Sequence, residues 1–502
     1  MLESSGRFVI ERELGQGGMG VVYQALDLER DTRVALKALS QKDAVNIYRL
    51  KNEFRQLADL SHPNLVSLHE LVYEGDSWFF TMELVEGQTF DQYVTDGSRN
   101  SISSGGGSST VASGRVIRDV SATLSQRAIG SEFPLPRATA NVRRLRSAFR
   151  QLVEALAALH NAGKLHRDIK PSNVLVTPEG RVVVLDFGLV SNKTVIDPEA
   201  QDENRTVGGC AFGTPAYMSP EQAAGETITP ASDWYSAGAI LYEALTGQLP
   251  FDGTVLEILR QKEELEPVPP CEVVKGVPDD LDQLCRDLLR RDPAKRPIGP
   301  EILRYLTGHS APPPIFDAQS ATHARQHSEL FVGRAQHLLT MREAFGRSKA
   351  GEPVTVLVHG LSGMGKSALA RCFANELIKH DEAVVLRGRC YERETVPYKA
   401  FDNIIDALSR YMMRLPAEEA AELLPRNIHS LARLFPVLRR VKAIAHARRP
   451  KYRTTDAREL RNQAFAALKD LLLRITDFQP VVIQIDDLQW ADMDSARLLS
   501  FL

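Results

Sequence analysis

Two glycine-rich loops in this sequence could each hold phosphate groups. One spans Gly15–Gly20 and the other spans Gly360–Ser367. Because glycine carries no Cβ atom, the backbone N–H groups of such loops can approach an anion closely. The elements on either side of each loop indicate which kind of phosphate site it can form.

The first loop lies between two alternating segments, Phe8–Leu14 and Val21–Leu28, that predict strands. Its GxGxxG pattern alone is weak evidence, since the turn of a dinucleotide-binding domain looks similar. That turn opens into a helix, whereas this loop continues into a strand. We therefore predict a strand–loop–strand hairpin that folds over a nucleotide.

A lysine in the next predicted strand needs a partner. Lys37 lies among apolar residues in Arg33–Leu39, and burying a lone ammonium group is costly. Apolar residues recur at helical spacing in Val45–Leu60, where Glu53 is the only glutamate and shares their face. We predict an ion pair between Lys37 and Glu53. The alternative is that Glu53 lies on a solvated helix face.

Three further motifs follow along the chain. They read His166-Arg-Asp-Ile-Lys-Pro-Ser-Asn173, Asp186-Phe-Gly188 and Gly213-Thr-Pro-Ala-Tyr-Met-Ser-Pro-Glu221. Together with the first glycine loop and Val34-Ala-Leu-Lys37, they match the signature set of protein kinases in order and spacing. From residue 8 to residue 307, apart from an insertion, the chain resembles the eukaryotic-like serine/threonine kinases of bacteria.

The resemblance implies a role for each motif residue. Asp168 accepts or orients the proton of the substrate hydroxyl, and Lys170 neutralises charge on the transferring phosphate. Asn173 and Asp186 hold Mg²⁺ between the phosphates of ATP. A lysine two residues after Asp168 is the serine/threonine pattern, so the implied reaction is transfer of the ATP γ-phosphate to Ser or Thr of a protein substrate.

The resemblance also implies an ATP site in the first part of the chain. Lys37, steadied by Glu53, holds the α- and β-phosphates, and the backbone from Glu83 to Val85 hydrogen-bonds the adenine, with Met82 behind it. The loop residues implied to surround ATP are Gly15, Gln16, Gly17, Gly18, Met19, Gly20 and Val22.

Other residues are implied to support or regulate this site. Glu221 pairs with Arg296, and Asp233 anchors the catalytic loop. Every catalytic position is filled, which argues against an inactive kinase-like protein. Arg167 can clamp a phosphorylated activation loop, and Thr206 is the predicted phosphosite. Constitutive activity without phosphorylation is the alternative.

The second glycine loop fits the pattern GxxxxGK[ST]. An apolar segment, Val354–His359, precedes it and predicts a strand, and the helical run Ser367–His380 follows it. Strand, loop and helix N-terminus together form an anion cradle from backbone amides and the helix dipole. The predicted phosphate-binding residues are Gly360, Gly363, Gly365, Lys366 and Ser367.

A later predicted strand, Val481–Asp487, ends in two adjacent aspartates. It resembles a Walker B strand, with Asp486 on Mg²⁺ and Asp487 polarising water. The segments Phe331–Arg334, Pro397–Asp402 and Asp487–Asp492 resemble the AAA-like signalling ATPases of the STAND class. Because the sequence stops soon after Asp487, we expect a fragment that lacks a possible C-terminal effector domain. A truncated gene is the alternative.

The whole chain is too long for one hydrophobic core. With 502 residues, two or three domains are expected. A composition of 43% hydrophobic and 25% charged residues with a net charge of −3 argues against a nucleic-acid-coating protein, and we expect no direct nucleic-acid binding. Five scattered cysteines without a CxxC pair argue against a structural zinc site and favour a reducing compartment. No apolar run could span a bilayer, so no membrane partner is expected and the expected location is cytoplasmic.

These elements define a multidomain architecture. We expect a bilobal protein-kinase fold of the α+β class over residues 1–310, with a serine-rich surface insertion at 96–140. A linker follows at 311–328, and 329–502 is the N-terminal part of an incomplete three-layer α/β P-loop NTPase domain. The expected cofactors are ATP and Mg²⁺. A rival interpretation is a nucleotide-switched signalling scaffold whose kinase activity is incidental.

Overall fold

The protein forms two compact units. The first comprises Met1–Asp59, Leu68–Leu84 and Pro312–Leu502, and the second comprises Leu60–Ser67 and Val85–Ala311. A computed structural model describes residues 6–16, 20–39, 43–74, 77–95, 140–185, 215–307, 334–448 and 456–502 of the chain. The predicted insertion, except for residue 140, and the predicted linker lie outside these described residues.

A sheet opens the first unit. Its antiparallel part has the strand order β1-β2-β3-β5-β4, and a short strand from far along the chain, β10, pairs in parallel with β4. The strands predicted at Phe8–Leu14, Val21–Leu28 and Arg33–Leu39 are confirmed. The strands are β1 (Phe8–Gln16), β2 (Gly20–Asp27), β3 (Thr32–Leu39), β4 (Leu68–Glu74), β5 (Ser77–Glu83) and β10 (Glu394–Thr395).

One helix, α1 (Ala44–Leu57), packs on this sheet. Asp43 caps it, because its Oδ1 accepts hydrogen bonds from Val45 N and Asn46 N, each at 2.9 Å. Leu50 and Phe54 are buried, and the Phe54 ring lies 5.9 Å from that of Phe80 on β5. The helical prediction for this segment is therefore confirmed.

The rest of the first unit is an α/β module, here called the P-loop module (described residues 334–448 and 456–502). Two parallel strands, β9 (Val384–Arg389) and β11 (Val481–Asp486), pair in register. Its helices are α10 (Ala335–Lys349), α11 (Lys366–Lys379), α12 (Lys399–Arg414), α13 (Ala417–Glu422), α14 (Ile428–Leu434), α15 (Lys442–Ala445), α16 (Ala457–Thr476) and α17 (Met493–Phe501), with 3₁₀ turns at Pro436–Arg440 and Leu488–Trp490. Helices α12, α14 and α16 supply most of its buried core.

The strand predicted at Val354–His359 is wrong. This segment has no assigned strand, and Leu357 is 65% exposed. It faces β11 across a cavity of about 660 Å³ lined by both segments. An apolar run becomes a strand only when a neighbour supplies ladder hydrogen bonds, and no strand among the described residues pairs with this one.

The second unit is mainly helical. Helix α3 (Val142–Asn161) is capped by Asn141, whose Oδ1 accepts a hydrogen bond from Arg144 N at 3.1 Å. An apolar stripe along α3 is fully buried, since Leu145, Phe149, Leu152, Leu156 and Leu159 have no exposed area. The strands are β6 (Gln88–Thr89), β7 (Val174–Val176) and β8 (Val182–Val184); the other helices are α2 (Phe90–Thr95), α4 (Pro220–Ala223), α5 (Pro230–Thr246), α6 (Val255–Glu264), α7 (Pro270–Val273), α8 (Asp279–Leu288) and α9 (Gly299–Thr307), with 3₁₀ turns at Pro171–Asn173 and Pro293–Lys295.

Within the described ranges, every helix falls short of the length or the apolar character that a membrane crossing would require.

Candidate active site and nucleotide-binding loop

A buried ion pair occupies the first unit. Lys37 Nζ on β3 lies 2.8 Å from Glu53 Oε1 on α1. Only 6% of Lys37 and 5% of Glu53 is exposed, so neither charge is solvated and each neutralises the other. This is the pairing that the strand and helix patterns predict. Its role toward ATP stays a prediction.

The first glycine loop joins β1 to β2. Gly15 and Gln16 end β1, and Gly20 begins β2, while Gly17, Gly18 and Met19 lie outside the described residues. A Cβ atom on Gly20 would lie 2.1 Å from Ala38 O, so only glycine fits there. The close approach of β2 to β3 thus requires this glycine for packing as well as for any phosphate.

The other predicted ATP contacts lie at and after the end of β5. Met82 is buried in β5 opposite Ala35 of β3, and Glu83 is the last residue of that strand. Val22 of β2 lies opposite Lys37. Val85 belongs to the second unit and is half-buried.

The catalytic loop, His166–Asn173, brings three predicted residues together in the second unit. Lys170 Nζ lies 2.7 Å from Asp168 Oδ2. Asn173 Nδ2 donates to Asp168 O at 2.8 Å and to Asp168 Oδ2 at 3.2 Å. The Asp168 carboxylate is therefore held in a defined orientation. Asp186 and Thr206 lie outside the described residues.

Asp233 on α5 holds the backbone of the catalytic loop through hydrogen bonds. Its carboxylate accepts from His166 N at 2.9 Å and Arg167 N at 2.8 Å, and lies 2.8 Å from His160 Nε2. Burial favours the neutral acid, yet the hydrogen bond and charge of His160 and the backbone donors outweigh it, so the pKa of Asp233 is lowered. The predicted anchor is confirmed. It supports a loop in which Arg167 adopts a positive φ of 70°.

The predicted pairing of Glu221 with Arg296 is also confirmed. The two Arg296 Nη atoms donate to the two Glu221 oxygens at 2.6 and 2.9 Å. Ser232 Oγ adds a third donor at 2.6 Å. Burial opposes ionisation of Glu221, but these bonds lower its pKa overall. This cluster ties α4 to α5 and to the turn at Pro293–Lys295.

The second glycine loop has the backbone of a phosphate cradle. Gly360, Gly363 and Gly365 have φ values of 155°, 79° and 81°, which favour glycine. Helix α11 begins directly after them at Lys366, with Ser367 as its second residue. Lys366 Nζ donates to Gly360 O and Leu361 O, both at 2.9 Å. The loop thus curls around its own lysine at a helix N-terminus.

The two predicted acidic residues lie at the end of β11. Asp486 Oδ1 accepts from Asp487 N at 3.1 Å, and both residues line the cavity that Lys366 also lines. Asp487 has a positive φ of 53°. Its Oδ2 lies 2.7 Å from Arg389 Nε on β9, a partner that the sequence did not reveal.

Sequence reasoning also missed a charged cluster in the first unit. Lys51 and Arg55 lie one turn apart on α1, and Asp402 and Asp406 lie one turn apart on α12. All four, with Glu394, are buried and bonded to one another. Charges spaced by one helical turn are usual on solvated faces, so the sequence held no signal that separates the two cases.

Comparisons with known proteins agree with these motifs. Residues 8–306 match the family model described as protein kinase domain, and residues 330–502 match the model described as AAA ATPase domain. Serine/threonine-protein kinase PknA of Mycobacterium tuberculosis is 32% identical over 328 residues, which cover 64% of this chain and 62% of PknA.

Two further relatives match over similar lengths. Probable serine/threonine-protein kinase PknB of Bifidobacterium longum is 31% identical over 61% of this chain and 40% of that protein. Serine/threonine-protein kinase PknL of M. tuberculosis is 30% identical over 58% of this chain and 62% of PknL. The chain thus spans less than two thirds of each relative. Because the kinase model covers more than half of the chain, the chain belongs to the protein kinase domain family, with an AAA ATPase domain behind the kinase domain.

Proposed function

We propose that this protein transfers the γ-phosphate of ATP to serine or threonine hydroxyl groups of a protein substrate. The observation that carries the proposal is the catalytic loop. Asp168, Lys170 and Asn173 are bonded to one another, and Asp233 holds the backbone before them through two N–H groups. Phosphoryl transfer depends mainly on positioning and charge neutralisation, which such a pre-organised loop supplies.

Each side chain of the loop has one task in the proposed reaction. The Asp168 carboxylate orients the substrate hydroxyl and takes its proton as the hydroxyl oxygen attacks phosphorus in line with the leaving oxygen. Lys170 Nζ, 2.7 Å from that carboxylate, stabilises the negative charge that spreads over the transferring phosphate.

Magnesium fits the donor chemistry of this region. Asn173 donates through Nδ2 to Asp168, so its Oδ1 is the atom left to bind a cation. Amide and carboxylate oxygens are ligands that Mg²⁺ prefers, and we assign the second one to Asp186. Bound Mg²⁺ would neutralise the charge between the β- and γ-phosphates.

In the first unit, Lys37 and Glu53 form a further proposed contact to ATP. Lys37 Nζ would hold the α- and β-phosphates while Glu53 fixes its direction. The Gly15–Gly20 loop would cover the phosphates with backbone N–H groups, and Glu83 and Val85 would bond the adenine through their backbones. A second nucleotide is proposed at Lys366, with Asp486 as its cation ligand.

The test is phosphate transfer from γ-labelled ATP to a generic basic protein by the full chain. Lys37→Met and Asp168→Asn should each lower the rate by about 10²-fold or more, since each removes a charge used in the transition state. Arg33→Met on the same strand, whose side chain is 61% exposed, is the matched control and should keep the wild-type rate. Near wild-type transfer by Asp168→Asn would refute the assignment.

Domain limits and setting complete the proposal. We assign residues 1–310 to the kinase domain, 311–328 to a linker and 329–502 to the ATPase domain, close to the matched ranges. The four described cysteines are free thiols, which supports a reducing compartment such as the cytoplasm. A protein with serine or threonine acceptors is the proposed partner.

A further inference from the structure

The face of α1 that carries Lys51 and Arg55 is buried rather than exposed to solvent. Lys51 and Arg55 are 1% and 5% exposed, although lysine and arginine are almost never buried without partners. The adjacent face, with Leu50 and Phe54, packs on the kinase sheet. Glu53 lies between the two cations in sequence. Helix α1 is therefore held from two sides.

The P-loop module supplies the partners of both cations. Lys51 Nζ lies 2.8 Å from Asp402 Oδ2 and 2.9 Å from Asp406 Oδ1. Arg55 Nε donates to Glu394 Oε1 at 2.6 Å and its Nη1 donates to Asp406 Oδ2 at 2.9 Å. Each carboxylate is itself buried, and three carboxylates face two cations, so losing either cation would leave more buried negative charge uncompensated inside the protein.

Two further contacts reinforce this attachment. Strand β10, which contains Glu394, extends the kinase sheet at the free edge of β4, and Leu71 N donates to Arg393 O at 3.0 Å. The Arg440 guanidinium lies 3.6 Å from the centre of the Tyr48 ring on α1. The contact thus combines strand addition, a buried ionic cluster and a cation–π pair.

The residues of the P-loop module that contact α1 are connected to its proposed nucleotide-binding residues. Arg389 lies 2.7 Å from Asp487 and also bonds Asp59, which follows α1. Asp492, just after Asp487, accepts from Tyr398 N and Lys399 N at 2.9 and 3.1 Å. These bonds cap α12, the helix that carries Asp402 and Asp406.

We propose that the P-loop module is an intramolecular activator that holds α1 where Glu53 reaches Lys37, and that nucleotide bound at Lys366 strengthens this hold through Arg389. The inference rests on the proposed kinase function. A helix moves as a unit, so anchoring Lys51 and Arg55 fixes Glu53 as well. When bound nucleotide interacts with Asp487, Arg389 loses one of its two carboxylate partners. Arg389 then binds the remaining partner, Asp59 at the end of α1, more firmly.

The first experiment measures the phosphotransfer rate of full-length variants of α1. Arg55→Ala should lose activity by about 5- to 150-fold, the usual range of coupling between sites, while Arg55→Lys should retain most of it. Arg49→Ala removes an exposed cation from the same helix and should match wild type. Glu394→Gln, run in parallel, weakens the cluster from the P-loop side and should lower the rate even if Arg55→Ala fails to fold.

Epistasis separates positioning from general damage. If Arg55 acts through Glu53, the Glu53→Gln/Arg55→Ala double variant should be as slow as Glu53→Gln alone. Independent, multiplying losses would overturn the positioning role. An inactive wild-type chain would refute the kinase function itself, whereas an active wild type with unaffected Arg55→Ala and Glu394→Gln variants would refute only the activator role.

The second experiment tests the link to nucleotide. Lys366→Ala should lower the kinase rate in the wild-type background, and this effect should shrink to about twofold or less in an Arg389→Ala background. An equal effect of Lys366→Ala in both backgrounds would show that Arg389 does not transmit it. No effect in either background would show that the P-loop does not influence the kinase.

Discussion

At the scale of single residues, the protein keeps its functional charges buried and paired. Lys37 has Glu53, Glu221 has Arg296, and Asp233 has His160 and two backbone donors. Removing one partner of such a pair leaves a buried charge without compensation, which costs more than the pair contributes. These residues therefore serve both the geometry of the site and the stability of the fold.

Asp233→Asn should show both effects. The amide has one acceptor oxygen for three donors, and each donor left unbonded costs about 1–3 kcal/mol. Urea unfolding should show lower stability, and the kinase rate should fall because His166 and Arg167 lose their anchor. Asp252→Asn, at an exposed aspartate in the same unit, should change neither. An Asp233→Asn chain with wild-type stability and rate would contradict the anchoring role.

The same variant should change the response to acid. The pKa of Asp233 is lowered in the folded protein, so its stabilising contribution is full above the unfolded pKa of about 3.9 and is lost as pH falls through the lower folded pKa. Unfolding free energies measured down through pH 4 should therefore fall less steeply for Asp233→Asn than for wild type. Identical pH profiles would exclude this contribution.

At the scale of elements, the candidate functional groups lie at the ends of helices, strands and turns. Lys366 is the first residue of α11, Asp486 is the last of β11, and Asn173 ends a 3₁₀ turn. Such ends leave backbone N–H or C=O groups unpaired, which gives them polarity suited to phosphates and cations. Arg167 lies in the loop before that 3₁₀ turn. It is the residue that we expect to bind a phosphorylated activation segment.

We predict that the active protein carries a phosphate on Thr206. Burial lowers the pKa of Arg167, and a phosphate dianion nearby would favour its charged form through charge-assisted hydrogen bonds. Thr206→Ala should slow phosphotransfer, and Thr206→Ser should restore it. Mass spectrometry of active protein gives the direct readout. An unmodified 186–221 segment in fully active protein would count against this mechanism.

At the scale of the whole molecule, the kinase sheet and the P-loop module belong to one compact unit. The module also exposes apolar side chains beside its nucleotide loop, because the segment Val354–His359 lacks a neighbouring strand among the described residues. Asp487, which would have to hold a water molecule for hydrolysis, is paired with Arg389 instead. We therefore expect binding and hydrolysis at this site to be separable.

We expect nucleotide binding without steady-state hydrolysis at the P-loop. The measurement uses the full chain with Asp168→Asn, so that kinase turnover does not contribute. Of the two ATP molecules expected per chain, one at Lys37 and one at Lys366, Lys366→Ala should remove the second. Lys379→Ala, at the other end of α11, should remove neither. Sustained, Lys366-dependent release of phosphate would show that the Arg389 pair does not prevent Asp487 from acting.

The sequence by itself determined the local chemistry of this protein. The glycine loops, the catalytic loop and the two aspartates at the end of β11 are contiguous motifs, so their residues stay together however the rest of the chain packs. The Lys37–Glu53 pair could be predicted from the sequence because a buried lysine requires an acid and the neighbouring helix contains one glutamate.

Only the tertiary structure decided which face of α1 is covered and which apolar segment becomes a strand. Lys51 and Asp402 are 351 residues apart in the chain, and a charged helix face has the same pattern whether water or another domain covers it. Val354–His359 reads as a strand, yet strand formation depends on a partner's hydrogen bonds, which no local pattern contains. Long-range pairing therefore decided the contact between kinase and P-loop module.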